Sequence, residues 1–209
     1  MDGTLLDTQK DIVFLWDVVG EQMGYGKLGH LTPFCLGMNE AGWSAVLKQK
    51  GPENMDVEEF KKRFRQYALE HPIPTTAKTG AYELMDFLDE KGIKYCIASG
   101  TDTDLVKLRL KELGIAERFA AIVGGERVKN GKPAPDIFLL AAKELGAEPQ
   151  CCMVFEDSPL GIRAAKAAGM MPVGIPDIAA FDEEHKKMMF AHLESLDKAI
   201  PIIDSLITN

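Results

Sequence analysis

Cys151-Cys152-Met153-Val154-Phe155-Glu156-Asp157-Ser158-Pro159-Leu160-Gly161 runs from an unbroken apolar stretch into two adjacent carboxylates and then into a helix start. Cys151–Phe155 reads as a buried strand. Ser158 suits an N-cap, and Pro159 suits the first helical position, where its missing N–H costs nothing. The helix expected over Pro159–Ala168 stops at Gly169, and Pro172–Ile175 supplies the next short strand.

The same unit recurs upstream. Ala81–Glu90 places Leu84, Met85, Phe87 and Leu88 on one side of a helix, ended by Lys91-Gly92. Lys94–Ala98 follows as a strand, then a helix over Asp104–Leu113 with Leu105, Leu108 and Leu110 apolar. Ala120–Val123 is a further strand and Pro135–Leu145 a further helix, closed by Gly146. Such alternation implies an α/β fold: a doubly wound parallel sheet with helices on both faces. Residues 8–77 differ, with helical patterns at Ile12–Met23, Ala41–Lys50 and Val57–Leu69 and no strand pattern. They read as a helical cap inserted between residues 1–7 and 78–209 of the core, returning through His71-Pro72-Ile73-Pro74. A cap of this size is expected to pack over the sheet rather than close a full core of its own.

The 209 residues are 46% hydrophobic and 27% charged, which is globular rather than disordered composition. With 24 Lys+Arg against 32 Asp+Glu the net charge is -8, and no basic face for nucleic acid is visible. The longest apolar runs, such as Ile12–Trp16, are too short to cross a bilayer. Met1 is followed at once by Asp2, without the basic and apolar regions of a secretory signal. Cys35, Cys96, Cys151 and Cys152 lack metal-type spacing and are expected as buried small hydrophobes in a cytoplasmic protein. His30, His71, His185 and His192 show no ligand spacing either. No apolar stripe is left over from the expected core, so both a monomer and a homodimer are compatible with the pattern.

Four segments place polar groups at strand ends, where the loops of an open α/β sheet form the ligand crevice. Asp2-Gly3-Thr4 is an acidic turn. Ser99-Gly100-Thr101, after its strand, offers hydroxyls and backbone N–H groups suited to phosphate oxygens. Lys132, ahead of Pro133 and Pro135, is an ammonium pinned at a crossover. Glu156 and Asp157 repel each other unless a hard cation such as Mg²⁺ offsets their charge.

Taken together, DGTLLDT, IASGT, GKPAPDIF and EDSPLGIRAAKAAGM resemble the haloacid dehalogenase superfamily. The likeness is to the helical-cap branch that holds phosphoglycolate phosphatases and β-phosphoglucomutases, and it covers essentially the whole chain in the right order. It implies a magnesium-dependent phosphatase acting on a small phosphate monoester. Asp2 matches the family's general acid/base, with its backbone carbonyl on Mg²⁺. Lys132 neutralises the transferring group, Ser99 and Gly100 hold a phosphoryl oxygen with Thr101 beside them, and Asp157 and Glu156 complete the metal site. The family motif reads Asp-x-Asp-Gly-Thr, and here Met1 fills its middle position. The resemblance therefore puts the nucleophile immediately before Met1, together with the apolar strand that leads to it. A late or internal start and a non-catalytic relative are the alternatives. Aligned on DGTLLDT, Ile12 stands near the mutases' cap histidine, and the turn Phe34-Cys35-Leu36-Gly37-Met38-Asn39-Glu40 lacks their Lys–Arg pair. Phosphatase is thus favoured over mutase. Gln9, Trp16 and Asn39 are the candidate substrate contacts in the cap.

Overall fold

The computed structural model describes residues 1–71 and 73–208; Pro72 in the expected return linker lies outside them. Helices α1 (Gln9–Gln22), α2 (Glu40–Lys50) and α3 (Val57–Glu70) come first, with a 3₁₀ helix over Gly29–Cys35 between α1 and α2. Then follow α4 (Ala81–Glu90), β1 (Cys96–Ala98), α5 (Thr103–Glu112), β2 (Ala121–Val123) and α6 (Asp136–Leu145). The chain continues through β3 (Met153–Glu156), α7 (Pro159–Ala167), β4 (Met171–Gly174), α8 (Glu183–Met188), β5 (Ala191–His192) and α9 (Ile200–Ile207).

Every strand pairing is parallel: β1 with β2, and β3 with β4, which pairs in turn with β5. Side chains alternate faces along a strand, and β3 displays the layering. Val154 packs among Ala141, Ala142, Ala164 and Ala165 of α6 and α7, whereas Met153 and Phe155 pack against the cluster of Leu84, Leu88, Leu196 and Ile203 on the other side. In β1, Ile97 turns to Val106 and Leu110 of α5, while Cys96 and Ala98 face the α6 layer. Helices therefore cover both faces, as the alternation of patterns implies.

The sheet is nonetheless in two pieces. β1 pairs on one side with β2 and β3 on one side with β4, and the described strands make no β1–β3 pairing. Between these two edges lies a cavity of about 850 Å³, bordered by Cys96–Ala98, Met153–Phe155, and apolar side chains of α4 and α6. Met1 lines it.

Details of burial depart from the sequence expectations. In α5 the buried positions are Val106 and Leu110, while Leu108 is exposed. Cys151 is also exposed; it closes a 3₁₀ turn, and β3 begins two residues later. Cys35, Cys96 and Cys152 are only half-buried, so the four thiols are not uniformly core residues. The first helices also close more of a core than expected. Trp16, Val19, Leu28, Leu31, Leu47, Val57 and Phe60 form a cluster of their own. It is held by aromatic volume: Trp16 meets Phe60 edge-on with centroids 5.6 Å apart.

Candidate active site

The carboxyl ends of the strands face a pocket of about 180 Å³ whose far wall comes from α1, α2 and α3. Asp2, Ser99, Gly100, Thr101, Lys132, Glu156 and Asp157 all line it, although 155 positions separate the first from the last. Asn39 is placed otherwise. Its side chain caps α2, accepting from the Gly42 N–H at 3.1 Å, while its neighbours Met38 and Glu40 reach the pocket.

Local geometry explains how the acidic pair is held. Ser158 Oγ accepts from the Gly161 N–H at 3.0 Å, the N-cap expected from the sequence, and donates to Glu156 Oε2 at 2.9 Å. Glu156 also accepts from the Lys132 ammonium, and both side chains are about 4% exposed. Burial works to raise the Glu156 carboxyl, but Lys132, the Met1 ammonium and the Ser158 hydroxyl outweigh it and keep the group ionised. Lys132 follows β2 in a loop, with a cis peptide to Pro133, and lies 4.9 Å from the centroid of Phe138. A Cβ on Gly161 would overlap the Glu156 carboxylate. Gly161→Ala is therefore expected to displace Glu156 from Lys132 and to destabilise the protein by about 1–3 kcal/mol, measured by urea unfolding.

Asp157 is in a different position. Thr4 Oγ1 donates to its Oδ1 at 2.9 Å and Gln9 Nε2 to its Oδ2 at 3.4 Å, and among the described residues no ion pair holds it. Burial, reinforced by the charge of Glu156, pushes its carboxyl up to about 6. Gly3 allows this approach: its φ is +73°, and a Cβ there would strike Asp157 Oδ2. Asp177 reaches the same turn from beyond β4; Lys78 holds its Oδ1 at 2.6 Å, and its buried Oδ2 has no hydrogen-bond partner.

Asp2 accepts from the Thr8 hydroxyl at 2.6 Å, from the Thr101 hydroxyl at 2.8 Å and from the Arg109 guanidinium. Burial opposes ionisation, but Arg109, the Met1 ammonium and the two hydroxyls hold its carboxyl below the usual range. Arg109 was not foreseen. It sits inside the α5 segment Leu108-Arg109-Leu110-Lys111, where nothing in the sequence sets it apart from the neighbouring lysines. Ser99 is buried, its Oγ accepting from the Thr101 N–H at 3.2 Å, which fixes the turn after β1. Cys35 also borders the pocket, but burial pushes its thiol up to about 12, which removes it as a thiolate nucleophile.

The donor set suits Mg²⁺. It is all oxygen, and Asp157 is a buried carboxylate that no ion pair holds among the described residues. Among the described residues no three His, Cys, Asp or Glu side chains gather as ligands, and Mg²⁺ is commonly held by one or two carboxylates with the remainder from water and phosphate.

The chain that brings these acids, a buried lysine and a hydroxyl turn together at strand ends matches the sequence profile of the haloacid dehalogenase-like hydrolases over residues 1–169. The chain belongs to that family. This haloacid dehalogenase-like hydrolase is 33% identical over 178 residues to the phosphorylated carbohydrates phosphatase of Thermotoga maritima, spanning 81% of this chain and 79% of that one. Among solved structures it is 25% identical to CbbY of Rhodobacter sphaeroides in complex with phosphate, at a TM-score of 0.78 over 95% of this chain and 93% of that one. It shares the fold of β-phosphoglucomutase from Clostridium difficile, with TM-score 0.77 and 23% identity over all of this chain and 96% of that one. Among the described residues no helix is long and apolar enough to cross a membrane.

Proposed function

We propose that this haloacid dehalogenase-like hydrolase is a magnesium-dependent phosphatase of a small phosphate monoester, of the sugar-phosphate or phosphoglycolate type, acting in the cytoplasm. One observation carries the reading: Asp2, Ser99, Thr101, Lys132 and Asp157 converge on a single pocket at the strands' carboxyl ends. Phosphoryl transfer depends mainly on positioning and on offsetting the charge of the transferring group. The Lys132 ammonium and the turn at Ser99-Gly100-Thr101 hold the phosphoryl oxygens. Asp157 and the Asp2 backbone carbonyl, with Glu156 directly or through water, would hold Mg²⁺, which supplies Lewis-acid charge when bound. Glu156 also fixes Lys132 in place. Protonated Asp2 gives its proton to the leaving alkoxide; the carboxylate so formed, which Arg109, Thr8 and Thr101 favour, then takes the proton from the attacking water and is protonated again for the next turnover.

The transfer passes through an aspartyl-phosphate on a carboxylate standing immediately before Met1. One feature supports that placement: Met1 borders both the pocket and the cavity between β1 and β3. A strand lying in that cavity parallel to β1 and β3 would deliver its last residue into the site. Ile12, Gly37 and Met38 on the pocket wall supply no cation for a sugar mutase.

Phosphate release from sugar phosphates and phosphoglycolate, with Mg²⁺ and with EDTA, tests the reading. The expected result is Mg²⁺-dependent release without isomer formation. Isomer formation without release would assign a mutase instead. If a chain that carries the upstream strand and its Asp turns over no ester, the protein is a binding protein.

A further inference from the structure

One largely buried carboxylate near the pocket, Asp177, takes no part in the steps above. It follows β4, and backbone pairing decides where it goes. Glu156 and Gly174 are partners in the β3–β4 ladder, and the Ile175 N–H donates to the Glu156 carbonyl at 2.8 Å. The chain leaving β4 is thereby carried alongside the chain leaving β3. Asp177 thus reaches the Gly3 turn that also receives Asp157. A Cβ on Gly3 would strike Asp157 Oδ2 and stand 3.0 Å from Asp177 Oδ2, so the two carboxylates close on the same glycine.

The rest of Asp177 is fixed. The Lys78 N–H donates to the Leu5 carbonyl at 2.8 Å, which seats Lys78 against the same turn, and its ammonium donates to Asp177 Oδ1 at 2.6 Å. The Asp177 side chain is 11% exposed, and its Oδ2 is buried and accepts from no donor among the described residues. A buried acceptor without a donor is costly, and native proteins rarely keep one. Charge is unbalanced as well. Lys132 pairs with Glu156 and Lys78 with Asp177, while no ion pair holds Asp157 among the described residues. A water molecule alone would satisfy Asp177 Oδ2 and leave Asp157 as it is. A hydrated divalent cation at Asp157 answers both needs, because Mg²⁺ bound by one or two carboxylates keeps several waters, and those waters donate.

We propose that Asp177 is a positioning residue of the metal site: its free Oδ2 accepts from water that Mg²⁺ carries to Asp157, and Lys78 holds it for that task. This rests on the reading above in placing Mg²⁺ at Asp157, and it adds a residue that lies outside the four motif segments. Partners of this kind orient the groups around a metal, and losing one typically weakens metal binding about 10–100-fold.

Metal binding tests the proposal without turnover. Mg²⁺ affinity is measured by isothermal titration calorimetry, and by the Mg²⁺-dependent rise of the urea midpoint, for the parent chain, Asp177→Asn, Asp177→Ala and Asp157→Asn. Asp177→Asn keeps an oxygen for Lys78 and puts an amide nitrogen, which cannot accept, where Oδ2 stands. Both Asp177 variants are expected to stay folded in EDTA and to bind Mg²⁺ at least about tenfold more weakly than the parent. Asp157→Asn is expected to lose the response altogether. If Asp177 only ties the chain after β4 to Lys78, its variants lose stability in EDTA yet bind Mg²⁺ as the parent does. Unchanged affinity overturns the proposal and leaves Mg²⁺ at Asp157 standing. Failure of both Asp177 variants to fold in EDTA overturns it too, since the residue is then a structural partner of Lys78. If the parent itself does not respond to Mg²⁺, the metal site is wrong and both readings fall.

Discussion

Joining an apolar strand of about five residues, ending in Asp, to the amino terminus of Met1 should raise phosphatase activity by at least about 10³-fold and raise the melting temperature. The activity follows from chemistry: covalent phosphoryl transfer needs a carboxylate nucleophile, and deleting a nucleophile from an enzyme of comparable design costs several orders of magnitude. The stability follows from the split sheet. β1 and β3 each leave one edge unpaired beside a cavity of about 850 Å³ whose walls are mostly apolar. Parallel strands lie about 4.8 Å from their neighbours, so one added strand can pair with both edges. Each large side chain it buries contributes about 1.5–3 kcal/mol, against about 1.5 kcal/mol per residue for ordering the chain. The extension ending in Asn separates the two effects: it should keep the gain in melting temperature and lose the gain in rate. If the Asp extension gives neither, the cavity does not receive a strand and the nucleophile lies elsewhere.

How much of this was legible beforehand depended on whether a feature is encoded locally. The Ser158 cap and the Pro159 start were, because side chain and backbone three residues apart settle them, and α4 spans Ala81–Glu90 as its periodicity implies. The family motifs likewise named the residues that meet in the pocket. Arg109 was not legible, since a lysine-rich helix face hides which charge turns inward. Asn39 misled for a related reason: a polar residue in a turn beside the site can serve the helix after it rather than a ligand. The aromatic core of the first helices escaped because Trp16, Trp43 and Phe60 are far apart in sequence and meet only after folding. Past residue 176, β5 is two residues long and α8 is a single polar turn and a half, too short for periodicity to reveal.

The same distinction between fold and function sharpens at Asp157. Asp157→Asn should make the metal-free protein more stable at neutral pH while removing its response to Mg²⁺. In the folded chain burial and the neighbouring Glu156 charge push the Asp157 carboxyl up to about 6, against 3.8 for the free group. A raised acid binds its proton more tightly when folded, so stability falls as pH rises from about 4 to about 6. At pH 7.5 the full penalty is present, on the order of 3 kcal/mol at 1.36 kcal/mol per unit. Asparagine keeps an oxygen for the Thr4 hydroxyl and carries no charge, so it avoids that penalty. Urea unfolding in EDTA should find the variant more stable at pH 7.5, with the difference vanishing near pH 4. Adding Mg²⁺ should then stabilise the parent chain by mass action and leave the variant unmoved. A variant less stable than its parent at pH 7.5 in EDTA would mean that Asp157 is held by favourable contacts rather than kept against its own electrostatics for the sake of a cation.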